Sequence, residues 1–296
     1  RARRRHALGA HRKAPRAVSF VTELLVTEQR SAIERWVREH AYGVPMPGGD
    51  TLCRVLGEYM CVVTLDDHSV APHLVMNGYW QMWVTMCLAK RVKPGWRSID
   101  VGANFGYYTL LLADLVGPAG KVEAWEPSQD LRTRLAQTID LSGMGGRISI
   151  CDSAASNVSG EARLARRTHD YGGARVRPEY ESGAAHLKQE LIRTELLAST
   201  LLDRIDFVKI DAEGMEPEVW AGLGDRLPQA ALIEWCSRRS RRLPYKYADA
   251  AGFLTLLRAQ GYSVGGVNPH GDVDEASDDA PLLAVTDWLA LWLERK

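Results

Sequence analysis

The sequence predicts an α/β fold in which helices cover both faces of a seven-stranded, mostly parallel sheet. Three observations lead to this prediction. Strand-like and helix-like segments alternate from residue 96 onward, a glycine-rich turn follows the first of these strands, and no helix separates the last two strands. Consecutive strands without a crossover helix form an antiparallel hairpin, which we expect at one edge of the sheet at the C-terminal end.

The composition is that of a globular protein. The chain has 296 residues, 46% of them hydrophobic, so it can bury a full core without disulfides or a structural metal. Lys plus Arg and Asp plus Glu both total 37, which excludes a chain-wide basic surface for nucleic acid. Five scattered cysteines are typical of reduced thiols, and no segment is apolar enough to cross a bilayer. We therefore expect a soluble, cytoplasmic protein.

Residues 1–16 differ from the rest of the chain. They hold seven basic residues and no acidic one, which predicts a flexible basic tail. A solvated arm and a contact with nucleic acid or a membrane are the alternatives for this tail.

Residues 17–95 predict an N-terminal extension of helices and a β-hairpin. The expected elements are a helix at 20–41, a Gly- and Pro-rich break at Gly43–Gly49, a hairpin of Tyr59–Leu65 and Val70–Val75 with its turn at 66–68, and an apolar helix at 79–90.

Residues 96–296 predict the sheet domain, interrupted by a long insertion at 152–205. The expected strands are Arg97–Val101, Lys121–Trp125, Arg147–Cys151, Asp206–Ile210, Ala230–Glu234, Gly261–Val267 and Pro281–Thr286. The expected helices are Tyr107–Val116, Gln129–Leu141, Glu216–Leu223, 247–260 and a short Trp- and Leu-rich helix at 288–292. The polar, glycine-containing part of the insertion suits a mobile loop that folds over a pocket.

The turn after the first strand carries the first candidate site. Asp100 lies at the end of the strand, and Gly102 and Gly106, with Asn104 between them, let the backbone turn sharply and approach a ligand. Ligands of open α/β sheets bind beyond the carboxyl ends of the strands. A pyrophosphate prefers the G-x-G-x-x-G spacing and is repelled by a carboxylate, whereas the ammonium group of S-adenosylmethionine (SAM) is attracted to one. We therefore predict SAM as the cofactor, bound by Asp100, Gly102, Asn104 and Gly106.

Two more strand ends are expected at the same edge of the sheet. Glu126 follows the second strand, where a carboxylate can accept hydrogen bonds from both ribose hydroxyls of SAM or of NAD. Asp152 and Ser153 follow the third strand, where a side chain can reach the adenine ring. A strand-end turn cap is the alternative for Asp152.

The fourth strand brings candidate catalytic carboxylates to this edge. Asp211 lies at its carboxyl end and is the first candidate for a base that accepts the proton of a hydroxyl acceptor, with Glu213 as the second. The alternative for Glu213 and Glu216 is that acidic residues favour a helix start. Asp211-Ala212-Glu213-Gly214 lacks the N/D-P-P-Y/F tetrapeptide of amino-group methyltransferases, and the chain contains no Pro-Cys nucleophile. Oxygen is therefore the expected methyl acceptor.

Two further groups are weaker candidates. Glu234, at the end of the fifth strand, could hold a divalent cation together with Asp211, or could pair with a nearby arginine. His169, in the insertion, could act as the base because its ordinary pKa lies near neutrality, and a surface histidine is the alternative.

Three motifs resemble the FkbM family of SAM-dependent methyltransferases. They are Ser98–Thr109, Trp125-Glu126-Pro127 and Val208–Glu216, preceded by the similar segment Asn77–Gln81, in which Gln81 stands where the family more often has Glu. The resemblance implies a Rossmann-like class I methyltransferase fold and O-methylation of a small molecule such as a sugar, polyketide or glycolipid. It leaves the acceptor and the base open.

Three other functions compete with this hypothesis. An NAD(P)-dependent oxidoreductase is disfavoured by Asp100 and by the missing central glycine. An RNA methyltransferase or RNA-binding protein would use the basic tail at 1–16, and its affinity would fall steeply with salt. A protein that binds the cofactor without turnover is the third alternative.

Overall fold

A computed structural model describes residues 19–177, 187–237, 247 and 249–296 of the protein. The basic tail predicted at 1–16 lies outside the described residues. No helix in these ranges is long and apolar enough to cross a membrane.

A three-stranded antiparallel sheet flanked by helices forms the N-terminal extension. Its elements are α1 (Phe20–Thr27), α2 (Arg30–His40), β1 (Gly43–Pro45), β2 (Asp50–Val55), β3 (Tyr59–Thr64), α3 (Ala71–Asn77) and α4 (Met82–Arg91). The single helix predicted at 20–41 is two helices, because the backbone is extended at Glu28 and Gln29.

The hairpin predicted in this extension is wrong in its second half. β3 pairs with β2, and Val70–Val75 lies at the start of α3 and within it. The buried Asp67 carboxylate accepts hydrogen bonds from the backbone N–H groups of Val70 and Ala71, at 2.8 and 2.7 Å. Because these contacts stabilise a helix start, they outweigh the strand preference of the two valines.

The sheet domain follows, with its insertion between the third and fourth strands. Its first part contains β4 (Arg97–Val101), α5 (Tyr107–Val116), β5 (Lys121–Trp125), α6 (Gln129–Ser142) and β6 (Ile148–Cys151). The insertion contains β7 (Ala154–Ser156), β8 (Gly160–Arg166), β9 (Arg175–Arg177), β10 (Lys188–Leu196) and a 3₁₀ turn at Leu197–Ser199. The last part contains β11 (Phe207–Ile210), α7 (Glu216–Ala221), β12 (Ala230–Trp235), α8 (Ala250–Ala259), β13 (Tyr262–Val267), β14 (Val273–Glu275), α9 (Ala280–Leu283) and β15 (Leu289–Arg295).

The main sheet has the order β14-β13-β15-β12-β11-β4-β5-β6. The strands from β12 to β6 run parallel, whereas β15 is antiparallel to both of its neighbours, β12 and β13. This arrangement confirms the predicted α/β class and the Rossmann-like methyltransferase sheet that the resemblance implies. The short strand β14 adds an eighth strand at the edge.

Two separate hydrophobic clusters pack helices against the sheet. In one of them Leu111 of α5 and its neighbours lie with Val122 of β5, together with the N-terminal extension. In the other, Leu254 of α8 lies with Ile233 of β12. Since side chains alternate along each strand, the two clusters occupy opposite faces of the sheet.

Of the last two predicted elements, the predicted strand begins as a helix and the predicted helix lies in a strand. The segment predicted as a strand at Pro281–Thr286 begins as the short helix α9, with a proline in its first turn. Residues 289–292 of the segment predicted as a helix belong to β15, which lies inside the sheet and in which residues 290–293 are buried. A strand buried on both faces loses the alternation of polar and apolar residues, so its apolar run resembled a helix.

The insertion forms a second, four-stranded sheet in the order β7-β10-β8-β9, rather than only a loop. The connection between β8 and β9 contacts the N-terminal extension: the backbone N–H of Tyr171 donates to Asp67 Oδ1 at 3.1 Å, and that of Gly172 to Ser69 Oγ at 3.1 Å. These contacts join the insertion to the N-terminal extension.

Candidate active site

A cavity of about 1230 Å³ opens at the carboxyl ends of β4, β5, β11 and β12. The N-terminal extension, the insertion and Trp288 supply further parts of the wall. Cavities that hold one small ligand usually measure about 300–1,000 Å³, so this one has room for a donor and an acceptor together.

The glycine turn after β4 forms one wall of the cavity. Gly102 has a φ of +75°, and a Cβ at this position would lie 2.1 Å from the backbone oxygen of Asp211. The absence of a side chain thus allows the ends of β4 and β11 to meet. Gly106 has a different role: it does not line the cavity, and a Cβ there would lie 2.7 Å from Leu135 of α6, so it permits packing of α5 on α6.

Glu126 lies in the cavity wall, as predicted for a ribose-binding carboxylate. Its Oε2 accepts from the backbone N–H of Asn104 and its Oε1 from that of Ser128, both at 2.9 Å. Each oxygen keeps a further lone pair for a ligand hydroxyl. Burial raises the pKa of Glu126 to about 7, although the two backbone hydrogen bonds oppose this shift. Asn104, which also lines the cavity, has a φ of +52°, and its side chain accepts from the N–H of Phe105.

Asp100 does not lie where the sequence analysis placed it. Its carboxylate is fully buried and is not among the cavity-lining groups. Thr109 Oγ1 donates to Asp100 Oδ2 at 2.7 Å, and the ammonium group of Lys209 lies 3.3 Å from Oδ1. A protein cation thus lies beside the carboxylate that the sequence analysis assigned to the ammonium group of SAM, and the contact of Asp100 with SAM stays a prediction.

Asp152 and Ser153 are also outside the cavity wall. Asp152 forms an exposed ion pair with Arg193, and the Ser153 hydroxyl donates to Glu195 at 2.9 Å. The cavity is instead lined at this point by Ala154 and Ala155. The prediction that Asp152 and Ser153 contact adenine is thus not supported, and small apolar side chains take their place.

Asp211, Glu213 and Glu234 meet at the opposite side of the glycine turn. One carboxylate oxygen from each lies within 4.8 Å of the others, and all three residues line the cavity. Glu213 adopts a φ of +54° in a sharp loop after β11. This spacing is compatible with a cation, but acidic groups often cluster without one, so the divalent cation stays a prediction.

The loop that carries these carboxylates is held by Glu216. This fully buried side chain accepts from the backbone N–H of Ala212 at 2.9 Å and from that of Gly214 at 3.1 Å. Burial raises the pKa of Glu216 to about 7. Glu216 thus fixes the backbone of the Asp211–Gly214 loop through hydrogen bonds, in addition to lying at the start of a helix.

His169 is held away from the carboxylates. Its Nδ1 lies 2.6 Å from Asp66 Oδ1, its ring stacks on that of His68 with centroids 4.7 Å apart, and it is not among the cavity-lining residues. The histidine therefore belongs to the contact between the insertion and the N-terminal extension, and the geometry favours Asp211 over it as the base.

Several cavity residues were missed by the sequence analysis. Gln81, which has a φ of +39°, accepts a hydrogen bond from the hydroxyl of Tyr108 at 2.8 Å, and both line the cavity. The wall beyond them is aromatic, with Trp83 stacked on Trp288 at 5.7 Å. The similarity of Asn77–Gln81 to the family was a signal for Gln81, whereas nothing in the sequence connected Trp288 with residues two hundred positions earlier.

Comparisons with known proteins show what this chain is similar to. A family model described as "Methyltransferase FkbM domain" matches residues 100–264. A protein-L-isoaspartate O-methyltransferase from Aeropyrum pernix is 36% identical over 58 residues, a match that spans 20% of this chain and only 22% of that protein.

Solved structures with a similar fold have low identity. A methyltransferase FkbM from Methylobacillus flagellatus KT is 13% identical, with coverage of 72% of this chain and 53% of that one and a TM-score of 0.42. A SAM-dependent methyltransferase from Aquifex aeolicus is 16% identical, with coverage of 78% and 94% and a TM-score of 0.41.

Proposed function

Because this chain belongs to the FkbM methyltransferase family, we propose that it transfers a methyl group from SAM to a hydroxyl group of a small molecule of the sugar, polyketide or glycolipid type. One observation carries the proposal. The ribose-type carboxylate Glu126 and the candidate base Asp211 line the same cavity, on either side of the glycine turn at Gly102.

The residues of the cavity fit SAM without help from Asp100. Because Gly102 has no side chain, the backbone is accessible to a ligand where the ends of β4 and β11 meet. Glu126 offers two acceptor oxygens for a ribose diol. Ala154 and Ala155 line the cavity with small apolar side chains, which suit contact with the adenine. A cationic donor is compatible with the carboxylates of Asp211 and Glu213, whereas a pyrophosphate would be repelled by them.

The protein's contribution to the chemistry is alignment and proton removal. When bound, SAM supplies a methyl group on a sulfonium: the acceptor oxygen bonds to the methyl carbon, the sulfur keeps the electron pair of the broken C–S bond, and the hydroxyl proton leaves. Asp211 is our first candidate to accept that proton. Glu213, on the same loop, is the second candidate and can orient the acceptor hydroxyl.

Calorimetric titration of the purified chain with SAM and with NADH tests the donor. We expect SAM to bind and NADH to leave no heat signal. Binding of NADH alone would contradict the assignment and favour an oxidoreductase.

A transfer assay with methyl-labelled SAM and cell extract tests the reaction and its acceptor class. We expect label in small metabolites, unchanged by RNase, and no label with the Asp211→Asn variant. A second arm with EDTA tests the divalent cation. Label that disappears with RNase would instead assign the chain to RNA methylation.

The proposed compartment is the cytoplasm. All five cysteines carry free thiols, and four of them are buried, which supports a reducing environment.

A further inference from the structure

Lys209 is a lysine in the middle of the sheet. It is 2% exposed and belongs to β11, where its neighbours Val208 and Ile210 are fully buried. In the register of the sheet it lies opposite Asp100 of β4 on one side and Leu232 of β12 on the other. Burial of a lysine in such a strand is costly unless carboxylates compensate its charge.

The ammonium group of Lys209 lies between two carboxylates, one buried in the protein and one facing the cavity. Its Nζ lies 3.3 Å from Oδ1 of the fully buried Asp100 and 3.5 Å from Oδ2 of Asp211, which faces the cavity. Nζ also donates to the backbone oxygen of Val101 at 3.5 Å and lies 5.0 Å from the ring centre of Tyr108. Burial alone would lower the pKa of Lys209, but the charges of Asp100 and Asp211 outweigh it and raise the pKa.

We propose that Lys209 is a positioning residue. It holds the Asp211 carboxylate close to Asp100, and its positive charge partly offsets the negative charge of Asp211 that a cationic methyl donor would experience. This inference rests on the proposed function. A carboxylate that pairs with a sulfonium stabilises the substrate more than the transition state, in which that charge is already partly lost, and so slows transfer. By offsetting the charge, Lys209 leaves Asp211 available to the acceptor hydroxyl.

The difference in charge between SAM and its demethylated product, S-adenosylhomocysteine (SAH), isolates this effect. SAM carries the sulfonium charge, and SAH has a neutral thioether in the same place. A purely structural change in the cavity alters the affinity for both molecules. A change in local charge alters the ratio of the SAM affinity to the SAH affinity.

The experiment measures the Kd of SAM and of SAH by calorimetry for the wild type, Lys209→Met, and Lys209→Met combined with Asp100→Asn. The double variant is needed because Lys209→Met alone leaves Asp100 buried and unpaired, which can prevent folding. Leu232→Met, opposite Lys209 in the sheet and without a charge change, is the matched control. We expect the affinity of SAM relative to SAH to rise at least about fivefold in Lys209→Met and to stay constant in the control. In the double variant we expect a smaller rise, because Asp100→Asn also removes a negative charge beside Lys209.

A double-mutant cycle identifies the residue through which Lys209 acts. In an Asp211→Asn background, removal of Lys209 should change the ratio less than it does with Asp211 present, because only the direct effect of the Lys209 charge on the sulfonium remains. A ratio unchanged in both Lys209 variants, or an equal change with Asp211 absent, would overturn the inference and leave Lys209 as a structural partner of Asp100. If the wild type binds neither SAM nor SAH, the proposed function fails and the inference fails with it. If SAM binds and the ratio is constant, only the inference fails.

Discussion

The ribose contact assigned to Glu126 predicts that SAM binding depends on pH near neutrality. Both carboxylate oxygens already accept backbone N–H groups, and burial raises the pKa of Glu126 to about 7. A ribose diol donates its hydrogens to an ionised carboxylate better than to a carboxylic acid, so the ionised form binds SAM. The affinity for SAM should therefore increase as the pH rises through 7.

The size of this effect follows from the ionised fraction. With a pKa of about 7, that fraction falls from about nine-tenths at pH 8 to about one-tenth at pH 6, which corresponds to a roughly tenfold weaker affinity. Glu126→Gln should remove the pH dependence and weaken binding at pH 8 by about 1.5–3 kcal/mol, the value of a hydrogen bond to a charged group.

Calorimetric titration with SAM at pH 6, 7 and 8 measures both quantities. Glu190→Gln is the matched control, because this carboxylate accepts from the backbone of Gln129 and does not line the cavity. A wild-type Kd that is flat between pH 6 and 8, or a Glu126→Gln variant with wild-type affinity, would refute the assignment of Glu126 to the ribose.

The same carboxylate affects the stability of the unliganded protein with the opposite sign. Because the pKa of Glu126 is higher in the folded than in the unfolded chain, the folded protein binds more protons between about pH 4.5 and 7. Its contribution to the free energy of unfolding is complete below pH 4.5 and is lost as the pH rises through 7. The difference between the Tm with SAM and the Tm without SAM should therefore increase as the pH increases.

Three other substitutions test the site. Gly102→Ala should abolish SAM binding in calorimetry and lower the Tm. The alanine Cβ would lie 2.1 Å from the Asp211 backbone oxygen, and the residue would have a φ of +75°. Normal binding would show that the turn is not part of the site. Asp211→Asn should reduce methyl transfer at least ~100-fold while the Kd of SAM changes by less than about tenfold, and full activity in the labelled-SAM assay would exclude Asp211 as the base. His169→Ala should retain methyl transfer within about threefold, because its imidazole is paired with Asp66 outside the cavity; a loss on the scale of Asp211→Asn would restore His169 as the base.

The central part of the fold could be predicted well from the sequence. The bounds predicted for β4, α5 and β5 are those of the structure, because each of these segments ends directly before a glycine or a charged residue. The errors lie where a local pattern competes with a distant partner. Val70–Val75 has the composition of a strand, but the carboxylate of Asp67 makes it a helix. β15 was misassigned because its strand partners, β12 and β13, are known only after the fold is formed.

The site shows the same division between local and distant information. Gly102 and Glu126 lie in the cavity wall, since both come directly after a strand and the edge of a parallel sheet gathers such residues. Asp152 obeys the same rule and is nevertheless outside the wall, because the insertion brings Arg193 to it. The aromatic wall at Trp83 and Trp288 joins the two ends of the chain, so no local motif could indicate it.

Asp100 illustrates how much a charge argument depends on strand order. Taken alone, a carboxylate at the end of the first strand suggests a cationic ligand. Once β11 is known to lie beside β4, alignment of Ile210 with Val101 puts Lys209 directly opposite Asp100, and a buried ion pair becomes the expected arrangement. The strand-end carboxylate of Asp211, one residue beyond β11, then remains exposed to the cavity, and it is there that we expect the acceptor hydroxyl to meet the protein.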